Sequence, residues 1–362
     1  MMTFYMPAKV YAEENCVKAH AKEVCALGKK ALIVTGRTSA EKNGSLKDVT
    51  EVLEAGGIAW AQYKDIEENP SVETIMKARD FGVAEGADFV IGIGGGSPMD
   101  AAKSIALMIR HKEEDWEFLY GEDKGDTILP LVLIPTTCGS GSEVTGISVL
   151  TRHDLKTKGS VPHRMFAKLA LLDGKYLASL PKKVLADTST DAFCHLTESY
   201  INNAATPYSR MCVEAGLKLW RECRDVVLGK REATEEDYLR LLNASAFGGM
   251  AIAHTGTCLP HAMSYSITYD VGVKHGMACG LFQPAFVKEA SEEDRRFILE
   301  HAGFESVEEM RSYIEEVCGK AEDVSEKDLE RTVQEALNNP AKTSRAPFPV
   351  DEALLRRMAG LE

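Results

Sequence analysis

The chain has 362 residues, 44% hydrophobic and 27% charged, and its 42 Lys and Arg against 55 Asp and Glu leave a net charge of −13. That length favours two domains with cores of their own. Ordinary apolar content argues against a disordered chain, and the acidic balance argues against a nucleic-acid or anionic-membrane surface as the main partner, since such surfaces want clustered Lys and Arg.

No run approaches the ~18 apolar residues needed to span a bilayer. The start, MMTFYMPAKVYAEENC, has no signal-peptide core. Nine scattered cysteines without a CxxC pair are expected to be thiols in a reducing cytoplasm. Further along, residues 31–35 (ALIVT), 89–93 (FVIGI), 131–134 (LVLI) and 169–173 (LALLD) read as strands buried on both faces. Residues 72–85 and 98–109 carry apolar side chains at helical spacing. This alternation predicts a mostly parallel sheet flanked by helices, and the stretches either side of RHDLK within 146–161 predict a hairpin. After residues 180–181 the strand signals stop. Segments 183–202, 210–227, 235–252, 259–267, 306–318 and 326–337 read as amphipathic helices of an all-helical second domain.

The strand at 89–93 runs into Gly94-Gly95-Gly96-Ser97-Pro98-Met99-Asp100 and then a helix carrying Lys103. Pro98 suits a first helical turn. The glycines allow close backbone approach, and a helix N-terminus offers free N–H groups and partial positive charge. Together these favour a phosphate or diphosphate. A tight turn without a ligand is the alternative, and the position at the carboxyl edge of a sheet favours the ligand. The segment 135–145 (PTTCGSGSEVT) follows the next strand at the same edge and concentrates hydroxyls on small residues. It too has a bland alternative, a polar loop.

Asp191 and His195 are four residues apart in a helical pattern and therefore share one face. His261 and His275 follow in the helical half. One carboxylate and three imidazoles suit a borderline divalent ion such as Fe²⁺ or Zn²⁺. Spacing alone leaves open whether His261 and His275 converge on the first pair or serve separately as core or surface residues. His20, His111, His153, His163 and His301 are expected at the surface. His254, cut off from His261 by Gly256 and Pro260, is expected to be structural.

These residues are where the chain resembles the iron-containing (group III) alcohol dehydrogenase family. GGGSPMDAAK at 94–103, PTTCGSGSEVT at 135–145, DAFCH at 191–195 and PHAMSY…KHGMA within 260–278 match its motifs in order. FYMP near the start and LLDGKYLASLP at the domain junction extend the match over nearly the whole chain. TGRTSAEKNGSL and GSPMD are closest to the 1,3-propanediol or butanol dehydrogenase branch. The resemblance implies a dinucleotide-binding, Rossmann-like α/β domain over 1–180 and an all-helical metal-binding domain over 181–362, with the active site in the cleft between them. It implies hydride transfer between a small primary alcohol or diol, or its aldehyde, and NADP(H) or NAD(H).

By the same resemblance, Asp191, His195, His261 and His275 hold a divalent metal, iron first and zinc second. Gly95, Gly96 and Ser97 meet the diphosphate, with Asp100 at the helix start. Thr136, Thr137, Ser140 and Thr145 line the coenzyme groove, Asn69 lies near its adenosine end and Lys158 meets a ribose. A small alcohol or aldehyde is the expected partner, with no nucleic acid or membrane, and a homodimer is allowed. The alternatives are a glycerol-type zinc polyol dehydrogenase, a dehydroquinate-synthase-like lyase, a metal-dependent hydrolase with an unused nucleotide fold, and a non-catalytic nucleotide-binding protein.

Two positions depart from the family. Many members carry a second histidine four residues after the third ligand, where this chain has Tyr265. Tyr265 is the candidate for passing the alcohol proton, although an ordinary pKa of ~10 favours an aromatic wall of the substrate pocket instead. Many NAD-specific members end the first dinucleotide-fold strand with an aspartate. Here Gly36 is followed by Arg37, Thr38 and Ser39, a set that leaves room for a 2′-phosphate and predicts NADP(H) over NAD(H).

Overall fold

The computed structural model describes residues 2–121, 127–155, 157–319 and 323–361. Its packing divides the chain into Tyr5–Thr137 with Gly141–Ser179, and Leu180–Glu362 with Met1–Phe4 and Cys138–Ser140.

The first unit is built on a parallel sheet of strands β1 (Lys9–Ala12), β2 (Lys30–Thr35), β3 (Ala59–Tyr63), β4 (Phe89–Gly94), β5 (Leu131–Pro135) and β8 (Leu169–Leu172). Their spatial order is β1-β8-β5-β4-β2-β3. Each continuous apolar run predicted as a strand lies here, because a strand covered on both faces alternates nothing. Val90, Ile91 and Ile93 of β4 are fully buried, and the sheet separates two apolar cores. One core takes up helices α2 (Val72–Ala84) and α3 (Gly96–Arg110), and the other takes up α1 (Ser45–Ala55). The weaker sequence pattern had not marked β1, β3 or α1.

From β2 the chain leaves to β3 on one side and returns to β4 on the other, so the order reverses between β2 and β4. The carboxyl ends flanking such a reversal are where open α/β sheets bind ligands. The expected hairpin is present as antiparallel strands β6 (Val149–Arg152) and β7 (Thr157–Ser160). Lys156, in the RHDLK tip, lies outside the described residues.

The second unit is helical. Helices α4 (Lys182–Tyr200), α5 (Pro207–Glu222), α6 (Glu235–Thr255), α7 (Leu259–Ser266), α8 (His275–Glu289), α9 (Glu292–Ala302), α10 (Val307–Cys318), α11 (Glu326–Leu337) and α12 (Glu352–Ala359) supply its bulk. Helices α5, α6 and α11 open with reciprocal capping boxes at Thr206, Thr234 and Ser325. Among the described residues no helix is long and apolar enough to cross a membrane.

Candidate functional site

Asp191 and His195 leave α4 on one face, as their spacing requires, with Asp191 Oδ1 3.6 Å from His195 Nε2. The other two histidines arrive through local chain geometry. After α7, which carries His261, a five-residue π-helical segment (Ile267–Val271) ends at Gly272 with φ 80°, and His275 then opens α8. Gly276 makes that placement possible: a Cβ there would lie 1.9 Å from Asp187 O of α4. The Asp187 carboxylate accepts the Met277 N–H at 3.0 Å in the first turn of α8, and burial lifts its pKa to about 6.

The result brings all four expected residues together. Asp191 Oδ1 lies 3.4 Å from His261 Nε2 and 3.9 Å from His275 Nε2, and the Nε2 atoms of His195 and His261 are 3.0 Å apart. The surrounding acceptors assign the protons. His261 Nδ1 faces Glu198 Oε1 at 2.5 Å and His195 Nδ1 faces Gly139 O at 3.2 Å. In the neutral form each Nδ1 donates outward and both Nε2 lone pairs point inward. Asp191 Oδ1 is buried without a hydrogen-bond partner. Once the imidazoles are neutral, these are three acceptors facing one another, which a cation satisfies, so the donor set fits a divalent metal. Burial pushes the His195 pKa down to about 4, keeping it neutral. Against burial, the neighbouring Cys279, Glu198 and Asp191 raise His261, and Cys279 and Asp191 lift His275 to about 9. That imidazolium charge, again against burial, holds the Asp191 carboxyl well below the usual range, and a bound cation would displace those protons.

Two contributors were missed. Glu198, three residues beyond His195 on α4, also accepts the Cys258 N–H at 2.6 Å. Cys279 on α8 places its sulfur with donor atoms of Asp191, His261 and His275, all within 4.8 Å of one another. Its spacing of four from His275 repeats that of Asp191 and His195, which is the signal that could have found it.

Tyr265 is 42% exposed. Desolvation raises its hydroxyl pKa, but the Lys342 ammonium, 5.6 Å over the ring, and the nearby imidazoles carry it below its ordinary value. Lys342 also donates to Thr257 Oγ1. His254 is structural as expected, bonded through Nδ1 to Met250 O and stacked on Phe4. His163 is a correction: it is 1% exposed rather than at the surface, because its ring packs on Phe118 while Nε2 bonds the Phe118 carbonyl at 2.9 Å.

In the α/β unit, α3 begins at Gly96, two residues earlier than predicted, and no side chain caps it. Gly94, at φ 152°, has Pro98 where a Cβ would stand, and a Cβ on Gly95 would meet Thr137 Oγ1 at 2.9 Å. The N–H of Thr136 donates to Gly94 O at 2.9 Å, joining the ends of β4 and β5. Ser97 Oγ accepts the Asn69 N–H at 3.0 Å, and Asn69 Oδ1 accepts from Lys158 Nζ at 2.8 Å. The turn, Asn69 and Lys158 are thus assembled. Gly36 follows β2, with Ser39 Oγ and Pro98 within 4 Å of where its Cβ would be, and Arg37, Thr38 and Ser39 are exposed.

Asp100 and Thr145 face inward. The buried Lys103 Nζ donates to Ser142 Oγ (2.7 Å), Thr145 Oγ1 (3.1 Å), Ile147 O (2.6 Å) and, at 3.4 Å, Asp100 Oδ1. Ser140 belongs to the short segment Cys138–Ser140 that packs with the helical unit.

Residues 7–174 match the family described as iron-containing alcohol dehydrogenase, and residues 185–346 match its C-terminal domain. The chain is 34% identical over 284 residues to a sulfoacetaldehyde reductase of Bilophila wadsworthia, covering 77% of this chain and 72% of that one. It is 28% identical over 299 residues to an NADPH-dependent butanol dehydrogenase of Clostridium saccharobutylicum, covering 80% and 74%. The crystal structure of an iron-containing alcohol dehydrogenase from Thermotoga maritima superimposes with a TM-score of 0.90 at 33% identity, covering 99% of this chain and 98% of that one. These matches define a metal-dependent dehydrogenase. The chain belongs to the iron-containing alcohol dehydrogenase family, whose members interconvert alcohols and aldehydes.

Proposed function

We propose that this chain is an NADP(H)-preferring reductase of small aldehydes, working reversibly on the corresponding primary alcohols or diols, with iron or zinc held by Asp191, His195, His261 and His275. The observation that carries the reading is the convergence of the buried, unbonded Asp191 Oδ1 with the Nε2 atoms of three imidazoles. A divalent ion in such a set supplies Lewis acidity toward an alcohol or carbonyl oxygen.

The chain's own groups do the rest. Glu198 and the Gly139 carbonyl hold His261 and His195 in the tautomers that present Nε2. The uncapped first turn of α3 offers N–H groups to a diphosphate. Lys158 and Asn69 lie ready for ribose hydroxyls, and Arg37 with Thr38 and Ser39 would grip a 2′-phosphate. Tyr265, its pKa lowered beside Lys342, is a better acceptor for the substrate hydroxyl proton than an ordinary tyrosine, which favours relay over a purely steric role. The unpaired thiols suit a cytoplasmic home.

The test is a panel of short aldehydes with NADPH and NADH, followed by loss of reduced-coenzyme absorbance, on protein of measured iron and zinc content. Turnover that requires the metal and vanishes, along with the ion, in His275→Ala is expected. A protein that oxidises neither coenzyme with any aldehyde, or a His275→Ala variant with full metal and rate, overturns the reading.

A further inference from the structure

Cys279 has no part in the Asp/His₃ set, yet it is fully buried within that cluster. Helix α8 presents His275 and, one turn on, Cys279, whose sulfur is 3.9 Å from His275 Nε2. Four donors bound at 2.0–2.3 Å in a tetrahedron stand roughly 3.3–3.8 Å from each other. Three separations, 3.4 and 3.9 Å from Asp191 Oδ1 to His261 and His275 and 3.9 Å from Cys279 to His275, lie close to those edges, and the donors of Asp191, His261, His275 and Cys279 all stand within 4.8 Å of one another. Asp191, His261 and His275 are common to both sets of donors, and Asp191 Oδ1 is buried without a hydrogen-bond partner.

The geometry points to Cys279 as a further ligand of the metal, which makes the centre a mixed nitrogen, oxygen and sulfur site. This rests on the metal reading above. Ligation turns the thiol into a thiolate and releases its proton to solvent. A sulfur donor also biases the centre toward zinc over the harder iron(II).

Cobalt(II) alone, added to the metal-stripped full chain, reports on both readings separately. Its visible d–d bands register binding in the buried site, and an intense near-ultraviolet sulfur-to-cobalt charge-transfer band registers a thiolate ligand. Wild-type protein is expected to show both. Cys279→Ser and Cys279→Ala are expected to keep the d–d bands and lose the charge-transfer band entirely. Cobalt uptake without that band in wild-type protein, or with the band retained in Cys279→Ala, overturns the sulfur ligand and leaves the Asp/His₃ site standing. No cobalt uptake by wild-type protein overturns the site itself and the sulfur ligand with it.

Discussion

Glu198 sits behind His261 as a carboxylate that no solvent reaches, one oxygen 2.5 Å from the ring Nδ1 and the other 2.6 Å from the Cys258 N–H. The second bond matters because it fixes the carboxylate in place; the first then fixes the ring. Glu198→Gln keeps the shape but removes the charge that strengthens Nε2 as a donor. Metal affinity, measured by competition with a chelator, is expected to fall about 10–100-fold. Unchanged affinity would show that His261 needs no such support.

Coenzyme choice is expected to follow the loop after β2. A Cβ on Gly36 would make only ordinary contacts, the nearest at 3.8 Å, so Gly36→Asp can be accommodated. A carboxylate there repels a 2′-phosphate and bonds a free ribose. Gly36→Asp or Arg37→Ala should cost on the order of 1.5–3 kcal/mol toward NADPH, about ten- to a hundredfold in selectivity. The check is kcat/KM with both coenzymes, and equal efficiency in the unmodified enzyme sinks the preference.

The tyrosine gives a pH signature. On the proposed relay, in which deprotonated Tyr265 accepts the alcohol proton, oxidation should quicken with rising pH up to its lowered pKa. Tyr265→Phe is expected to cost about 10²-fold or more in turnover and to flatten that rise. Lys342→Met removes the cation that lowers the pKa, so the rise should move to higher pH. A Phe variant with the unmodified pH–rate profile restricts Tyr265 to shaping the pocket.

Glu143 sets a stability prediction in the α/β unit. Its carboxyl is buried with Oε1 unbonded, and burial lifts its pKa to about 7. The folded state therefore holds a proton that the unfolded chain releases near pH 4.5, so stability falls as pH rises from about 4.5 to 7. At ~1.4 kcal/mol per pKa unit the loss reaches about 3 kcal/mol. Glu143→Gln lacks this loss, and its Tm advantage over the unmodified protein should grow between pH 5 and pH 8. A constant difference across that range refutes the assignment.

The sheet was legible because strands buried on both faces leave uninterrupted apolar runs, and β4 leads directly into the glycine turn. Helix α8 was not, since it is apolar nearly all round, carries Gly276, Gly280 and Pro284, and so shows no 3.6-residue period. Asp191 and His195 could be paired from spacing within one helix. Their meeting with His261 and His275 depends on the π-helical segment and Gly272, which no count of residues reveals. Cys279 escaped because its four-residue spacing from His275 falls in the periodless helix α8, where a cysteine reads as an ordinary buried thiol.

The buried Lys103 ties helix α3 to the loop that precedes the hairpin, and Asp100 completes the tie by accepting the Val149 N–H at 2.9 Å. The glycine turn at one end of that helix and the hairpin that carries Lys158 are therefore tied into one hydrogen-bonded framework. Ordering of these contact points belongs to the folding step, so little conformational entropy remains to be lost when the coenzyme arrives. A change at Lys103, which reaches no ligand, would accordingly surface in kinetics as a raised coenzyme KM with kcat preserved.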